Sequence, residues 1–162
     1  MPGLKQVFIQ ALTEISTEVA KDTLGDIRWE GNKCYKYVQY DEAAAAVTGV
    51  AGEVAYYILD TGYGANNVSS DFSACGADAT CIGAGVLQAS LDDEDFGWIQ
   101  IKGIATLSIA IIAGVDGNAL TPSGVGANDG SLDVVVTTVA LGHICAFITD
   151  KDQKEIMCDF PF

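Results

Sequence analysis

His143 and Cys145 are the residues of this sequence whose types and spacing most directly suggest chemistry. They stand two positions apart, so in a strand they share one face, and a cysteine beside a histidine can act as a thiol nucleophile beside its base. Their neighbours are apolar, and no glycine-framed nucleophile turn accompanies them. We therefore expect a packed core pair. His143 is the sole histidine, which excludes a metal site built on several imidazoles.

A run of four acidic residues at positions 92–95 is the second candidate site. Carboxylates can bind Ca²⁺ or supply an acid and a base for catalysis. Consecutive side chains point in different directions, however, and the run lacks the alternation of a calcium-binding loop. We expect a solvated loop here. The sequence thus predicts no catalytic residue, no metal and no cofactor.

The cysteines show neither a CxxC pair nor the spacing of a zinc site. No export signal is recognisable after Met1, so reduced thiols within the core are the expected state. A loop disulfide between Cys75 and Cys81 remains the alternative for that pair. The five positions are Cys34, Cys75, Cys81, Cys145 and Cys158.

The segment at 96–103, Phe-Gly-Trp-Ile-Gln-Ile-Lys-Gly, is the element around which the rest is predicted to be organised. In a strand, Trp98, Gln100 and Lys102 share one face. Ile99 and Ile101 share the other face, which is therefore apolar. The flanking glycines permit a bulge or a close approach by another backbone.

Short apolar segments separated by turn residues follow one another along most of the chain, which is typical of an all-β fold. We predict a small antiparallel barrel or sandwich. A nearly continuous apolar run at 104–112 predicts a strand buried on both sides. The other predicted strands lie at 53–60, 68–72, 86–91, 132–139, 143–149 and 154–159.

The first forty residues are predicted to form an N-terminal arm and a hairpin. The arm is residues 1–24; Leu4 to Leu24 fits an amphipathic helix, but apolar and β-branched residues at odd positions from 7 to 19 equally fit an extended arm. Residues 26–40 alternate in the manner of a hairpin with a turn at Gly31 and Asn32, and one face of that ribbon is expected to carry Arg28 and Lys36. Residues 25–162 are then expected to form a single β domain.

The formal net charge of −14 is unevenly distributed. Residues 1–40 contain five basic and five acidic groups, whereas residues 41–162 contain three basic and seventeen acidic groups. An acidic body repels phosphate backbones and anionic lipid, which argues against nucleic-acid and membrane binding. The neutral first forty residues are better suited to docking on another protein.

Several motifs together resemble the head decoration, or capsid cement, proteins of tailed bacteriophages. They are the hairpin Gly-Asp-Ile-Arg-Trp-Glu-Gly-Asn-Lys-Cys-Tyr-Lys-Tyr-Val at 25–38, the segment at 96–103, Ala-Gly-Val-Asp-Gly-Asn-Ala-Leu at 113–120 and the tail at 155–162. The resemblance implies a β-rich virion protein that is made in the host cytoplasm and assembles as a homotrimer. It would bind the major capsid protein on the outer capsid surface and help the shell to resist internal pressure.

Two sets of residues are expected to make these contacts. The aromatic tail and the polar face of the organising segment are candidates because aromatic residues are enriched at interfaces. The expected capsid-binding residues are Lys5, Val7, Phe8, Arg28, Lys33 and Lys36. The expected subunit-interface residues are Trp98, Gln100, Lys102, Phe160 and Phe162.

Two other functional classes remain open from the residues alone. One is a small oligomeric hydrolase whose site lies at a subunit junction and uses the acidic run at 92–95 or His143. The other is a surface or tail module that binds carbohydrate through aromatic side chains. The aromatic residues considered for that module are Tyr56, Tyr57, Tyr63 and Trp98.

Overall fold

The computed structural model of the protein describes residues 7–43, 45–58, 62–75, 82–111, 113–122, 129–135 and 144–162. Within them lie ten strands, one helical turn, α1 (Gly62–Ala65), and one 3₁₀ turn (Phe72–Cys75). The strands are β1 (Ile27–Glu30), β2 (Lys33–Tyr40), β3 (Val54–Tyr57), β4 (Asn67–Ser69), β5 (Gly83–Leu87), β6 (Phe96–Thr106), β7 (Ala119–Thr121), β8 (Asp133–Val134), β9 (Ala146–Asp150) and β10 (Glu155–Asp159).

Five of the strands close into a barrel in the order β2-β4-β3-β5-β6, and pairing of β6 with β2 completes the ring. The other five strands lie outside it, with β1 beside β2 and the series β10-β9-β7-β8 continuing from β6. The predicted all-β barrel is confirmed. Its pairing is mixed because β2 and β4 run parallel while the other neighbours in the ring run antiparallel.

Strand β6 contains the organising segment and pairs with three other strands. It pairs with β2 along one edge, and with β5 and then β10 along the other. Gly103 has a φ of +88°, and a Cβ there would lie 2.7 Å from the carbonyl oxygen of Asn32. The glycine thus allows close approach without ending the strand. The separate strand predicted at 104–112 is wrong, since its first three residues complete β6.

The predicted hairpin is confirmed as β1 and β2, joined through Gly31 with a φ of +61°. Its register places Arg28 opposite Tyr35 and Ile27 opposite Lys36. Residues that face one another across strands lie on the same side of a sheet, so Arg28 and Lys36 lie on opposite faces. The expectation of one basic ribbon face is therefore wrong.

Two hydrophobic clusters bury most of the apolar side chains. The larger fills the barrel and the space beneath β9 and β10, and it includes Ile99, Ile101 and Phe160. The smaller lies on the outer face of β2 and β6. It consists of Tyr35, Tyr37, Phe96 and Trp98, with Phe8, Leu12, Ala20 and Leu24 of the arm packed against it.

Residues 7–24 of the arm form no helix and no strand, and their one backbone pairing to the barrel is a bridge between Ser16 and Phe96. The helical alternative for this part of the arm is wrong. From position 7 to 19 every odd-numbered residue is exposed, whereas Phe8, Gln10, Leu12 and Ser16 turn toward the barrel. The predicted alternation therefore holds at most of these positions, but Glu14 and Glu18 are exposed as well, and a turn at 12–13 and a positive φ at Glu18 bend the backbone.

Candidate interaction surfaces

Of the pair considered for catalysis, the structure describes only Cys145. His143 lies outside the described residues, and Cys145 is fully buried in the core. Burial raises the pKa of the Cys145 thiol well above its ordinary value, so the thiolate that a nucleophile requires is suppressed.

The acidic run at 92–95 forms a hydrogen-bonded turn. The buried carboxylate of Asp95 accepts a hydrogen bond from the Asp92 amide at 2.9 Å, and Asp93 accepts one from the Glu42 amide at 3.3 Å. In the described part of the chain, no group of three or more His, Cys, Asp or Glu residues is placed to hold a metal ion. No helix among these residues is long and apolar enough to cross a membrane.

Three cysteines are free and buried, in agreement with the expected core thiols: Cys34, Cys145 and Cys158. Burial raises the pKa of Cys158 to about 12 and also raises that of Cys34. Cys81 lies outside the described residues, so the alternative of a loop disulfide to Cys75 lies outside them as well.

The expected capsid-binding residues are distributed over several environments. Val7 and Lys33 have exposed or partly exposed side chains, and Lys5 lies outside the described residues. Phe8 turns inward, where its ring meets that of Trp98. It therefore holds the arm in place and presents little surface to a partner.

The two remaining members of that set, Arg28 and Lys36, make their contacts within their own chain. The Arg28 guanidinium donates to the Gln10 carbonyl oxygen at 3.1 Å and forms an ion pair with Glu30. Lys36 is only 5% exposed, and its ammonium donates to the Tyr57 hydroxyl at 2.9 Å. Burial lowers the pKa of Lys36. Lys36 thus lacks the exposed surface that capsid binding would need, and that expectation is corrected.

Gln10, which the sequence did not single out, connects the arm to the barrel. Its amide donates to the carbonyl oxygens of Phe96 at 2.9 Å and Glu14 at 2.6 Å, and its side-chain oxygen accepts from the Tyr37 hydroxyl at 2.5 Å. Its backbone carbonyl accepts from the Trp98 indole at 3.2 Å. The sequence does carry a sign of this role, because Gln10 is a polar residue at one of the alternating positions of the arm that face the barrel.

Asp22 closes the arm on itself. Its carboxylate accepts hydrogen bonds from the amides of Ile9 and Gln10, each at 3.0 Å. The Lys21 amide donates to the Tyr37 hydroxyl at 3.2 Å nearby. Residues 9–22 therefore form a loop fixed at both ends, which holds one side of the arm outward.

The exposed surface of the arm carries four large apolar residues. We call Val7, Ile9, Ile15 and Val19 the outward stripe, and their exposures lie between 43% and 80%. The exposed residues between them in sequence are Ala11, Thr13 and Thr17, together with the acidic Glu14 and Glu18, of which Glu14 pairs with Lys21. Exposed apolar groups gathered along one side of an element are typical of an interaction surface.

Three of the expected subunit-interface residues are enclosed by their own chain. Trp98 and Phe160 have no exposed surface, and Gln100 is 2% exposed and donates to the carbonyl oxygens of Lys102 and Ile104. These three cannot contact a second subunit in this conformation, because the arm or the barrel already covers them. The expectation is corrected for them.

Lys102 and Phe162, the other two members, lie at the surface. The Lys102 ammonium forms an ion pair with Asp159 and stands 5.0 Å from the centroid of the Phe162 ring. The Phe162 ring is exposed. Both residues border a part of the outer sheet face that the arm leaves uncovered.

An apolar row crosses that uncovered face. Met157 of β10 lies opposite Ile104 of β6 on one side and Phe147 of β9 on the other. Met157 is 42% and Phe147 39% exposed. A groove of about 440 Å³ runs beside this apolar row, lined by Asn32, Lys102, Gly103, Ile104, Phe147, Met157, Cys158 and Asp159. The row depends on the registers of three strands, which the sequence does not reveal.

The aromatic residues considered for carbohydrate binding are mostly internal. Tyr56, Tyr57 and Trp98 are at most 2% exposed, so none offers a ring face for a sugar to stack on. The side chain of Tyr63 lies outside what the structure describes. The outward stripe and the apolar row are therefore the two candidate surfaces.

Comparison with known proteins adds no assignment to these surfaces: no protein-family model, curated protein or solved structure matches the chain.

Proposed function

We propose that this protein is a structural virion protein that binds the outer surface of a tailed-phage capsid as a homotrimer and stabilises the shell. It would be made in the host cytoplasm, and its partner would be the major capsid protein. The observation that carries the proposal is the outward stripe. A fixed arm presents apolar side chains to solvent within the first forty residues, whose formal charges sum to zero.

The construction of the arm supports a docking role. Its inward side is fixed by Phe8, Gln10 and Asp22, so the backbone of the stripe is held before any partner arrives. A surface that is already ordered loses less conformational entropy on binding than a flexible tail does. Burial of an exposed Ile or Val side chain contributes about 1.5–3 kcal/mol, so each stripe residue matters for affinity.

The charge distribution supports the choice of a protein partner. The body formed by residues 41–162 holds seventeen acidic and three basic groups, and would be repelled by DNA and by anionic lipid. The arm and hairpin are neutral overall, so they can approach a protein surface without that repulsion. We therefore propose neither a nucleic-acid nor a membrane partner.

The mechanism would be mechanical. Apolar area buried between the stripe and capsid subunits adds binding free energy that must be lost before the shell opens. In a trimer the three arms bind as linked units, which raises the effective affinity through avidity without any new kind of contact.

The test is co-sedimentation of the purified protein with phage heads that lack their decoration protein. We expect the wild type to sediment with the heads, and Ile9→Glu to bind at least about tenfold more weakly because a charge replaces an apolar side chain that docking would bury. Val115→Glu is the matched control, since Val115 is equally exposed but lies outside the arm. Wild-type protein that stays in the supernatant, or equal binding by Ile9→Glu, would overturn the proposal.

A further inference from the structure

The apolar row is an exposed feature that docking through the arm does not use. Ile104, Met157 and Phe147 lie side by side on β6, β10 and β9, on the same outer sheet face as the seated arm. The arm covers the Trp98 end of that face and leaves the end beyond Lys102 open.

We propose that the apolar row is the contact surface for a second copy of this chain. The inference rests on the proposed function in that the assembly is taken to be a homotrimer, with the rows of the copies meeting near the symmetry axis. It goes beyond that function because it assigns the subunit contact to residues other than the buried Trp98 and Phe160.

Charge is the first reason for choosing a second copy as the occupant. Two copies that each carry −14 repel one another over most of their surface. A symmetry axis also brings each charged group that lies near it close to its own duplicate. The row itself contains no charged side chain, the flanking Lys102 and Asp159 pair with each other, and Glu155, two residues from Met157 on β10, accepts a hydrogen bond from the Thr149 hydroxyl. Copies that meet at this surface therefore experience less like-charge repulsion than copies that meet over the acidic body.

Shape is the second reason. The groove beside the row is concave, and exposed rings project near it: Phe147 lines the groove, and Phe162 stands beside Lys102, which also lines it. A surface that holds both an apolar groove and apolar projections lets the ring of one copy enter the groove of the next, which is the head-to-tail contact that closes a cyclic trimer. A partner of another kind would have to supply both features independently.

The apolar row is large enough to form only part of an interface. A specific contact buries about 800 Å² per partner, which is more than three partly exposed side chains provide. The row would thus be the apolar centre of the interface, with Lys102, Asp159 and Phe162 at its rim. Contacts at such a centre account for most of the binding energy in known interfaces.

Sedimentation velocity of wild type, Met157→Glu and Val115→Glu tests this assignment over a range of concentrations up to about 100 µM, a span in which specific complexes of this size class associate. We expect an oligomer for the wild type and for Val115→Glu, and at least a tenfold weaker association for Met157→Glu. Circular dichroism reports whether each variant is folded. A monomeric wild type, or a Met157→Glu variant that associates as strongly as wild type, would overturn the inference.

A cross-linking experiment tests the same contact without a charged substitution, so it applies even if Met157→Glu does not fold. Under mild oxidation Met157→Cys should form covalent dimers, whereas Val115→Cys and wild type should not. Absence of a cross-link in a folded, oligomeric Met157→Cys variant would count against the row. The proposed function has a separate test. If the protein forms oligomers that pass both tests but does not sediment with phage heads, the subunit contact is supported and capsid binding is overturned.

Discussion

Phe8 of the arm meets Trp98 of β6 edge-on, with ring centroids 5.3 Å apart and planes inclined at 86°. The Arg28 guanidinium lies 5.4 Å from the Phe8 ring and 5.8 Å from the Trp98 ring. The arm, the hairpin and the central strand therefore share one aromatic contact. The arm therefore packs on the barrel as part of the folded domain. A change that weakens this aromatic contact should also loosen the backbone that carries the outward stripe.

Replacement of Trp98 by alanine should cost far more stability than replacement of Trp29. Trp98 is fully buried between β6 and the arm, so Trp98→Ala should lower the free energy of unfolding by about 3–5 kcal/mol. Trp29 is 59% exposed, and Trp29→Ala should change it by only about 0.5 kcal/mol. Urea denaturation at neutral pH provides both values.

The same pair of variants distinguishes a folding role from an interface role. Limited proteolysis should cleave Trp98→Ala within residues 7–24 before the barrel is degraded, because the arm no longer packs against the Trp98 ring. Equal stability losses in the two variants would contradict the burial of Trp98 beneath the arm.

The sequence predicts local features of this fold better than long-range ones. Alternation at positions 7–19 reveals that the arm has two sides, but not which side faces the barrel. That choice depends on Gln10, whose hydrogen bonds reach residues more than eighty positions away. The hairpin is predictable because its turn and both strands are contiguous.

The candidate surfaces likewise depend on long-range contacts that the local sequence does not reveal. Trp98 has the residue type of an interface anchor, yet the arm covers it, and no local pattern near position 98 indicates this. Ile104, Phe147 and Met157 are widely separated in sequence and become neighbours only through the pairing of β10 with β6 and β9. Both surfaces depend on strand order and register, which are properties of the whole chain.

The three described thiols should resist alkylation in the native protein. A thiol whose pKa is about 12, as at Cys158, holds roughly a thousandfold less thiolate at neutral pH than one at the ordinary value of 9.0. Burial also blocks access to Cys34 and Cys145. Peptide mapping after iodoacetamide treatment should show these sites unmodified in buffer and fully modified in guanidinium. Rapid native modification at Cys145 would contradict its place in the core.

Glu53 should make the protein less stable as the pH rises from mildly acidic to neutral. Burial, followed by the nearby negative charge of Asp129, raises the pKa of its carboxyl above the ordinary 4.5. Between the ordinary and the raised pKa the unfolded chain has released this proton while the folded chain retains it. Stability therefore falls with increasing pH across that window, and the loss is complete above the folded pKa.

Substitution by glutamine isolates this contribution. Glu53→Gln keeps an oxygen that can accept the hydrogen bond from the Val50 amide but carries no charge. The variant should therefore gain stability relative to wild type between pH 4 and pH 7, as measured by urea denaturation at both values. Asp152→Asn, in the exposed turn before β10, is the control and should show no comparable gain. A Glu53→Gln difference that is the same at both pH values would show that the carboxyl titrates alike in the folded and unfolded chains.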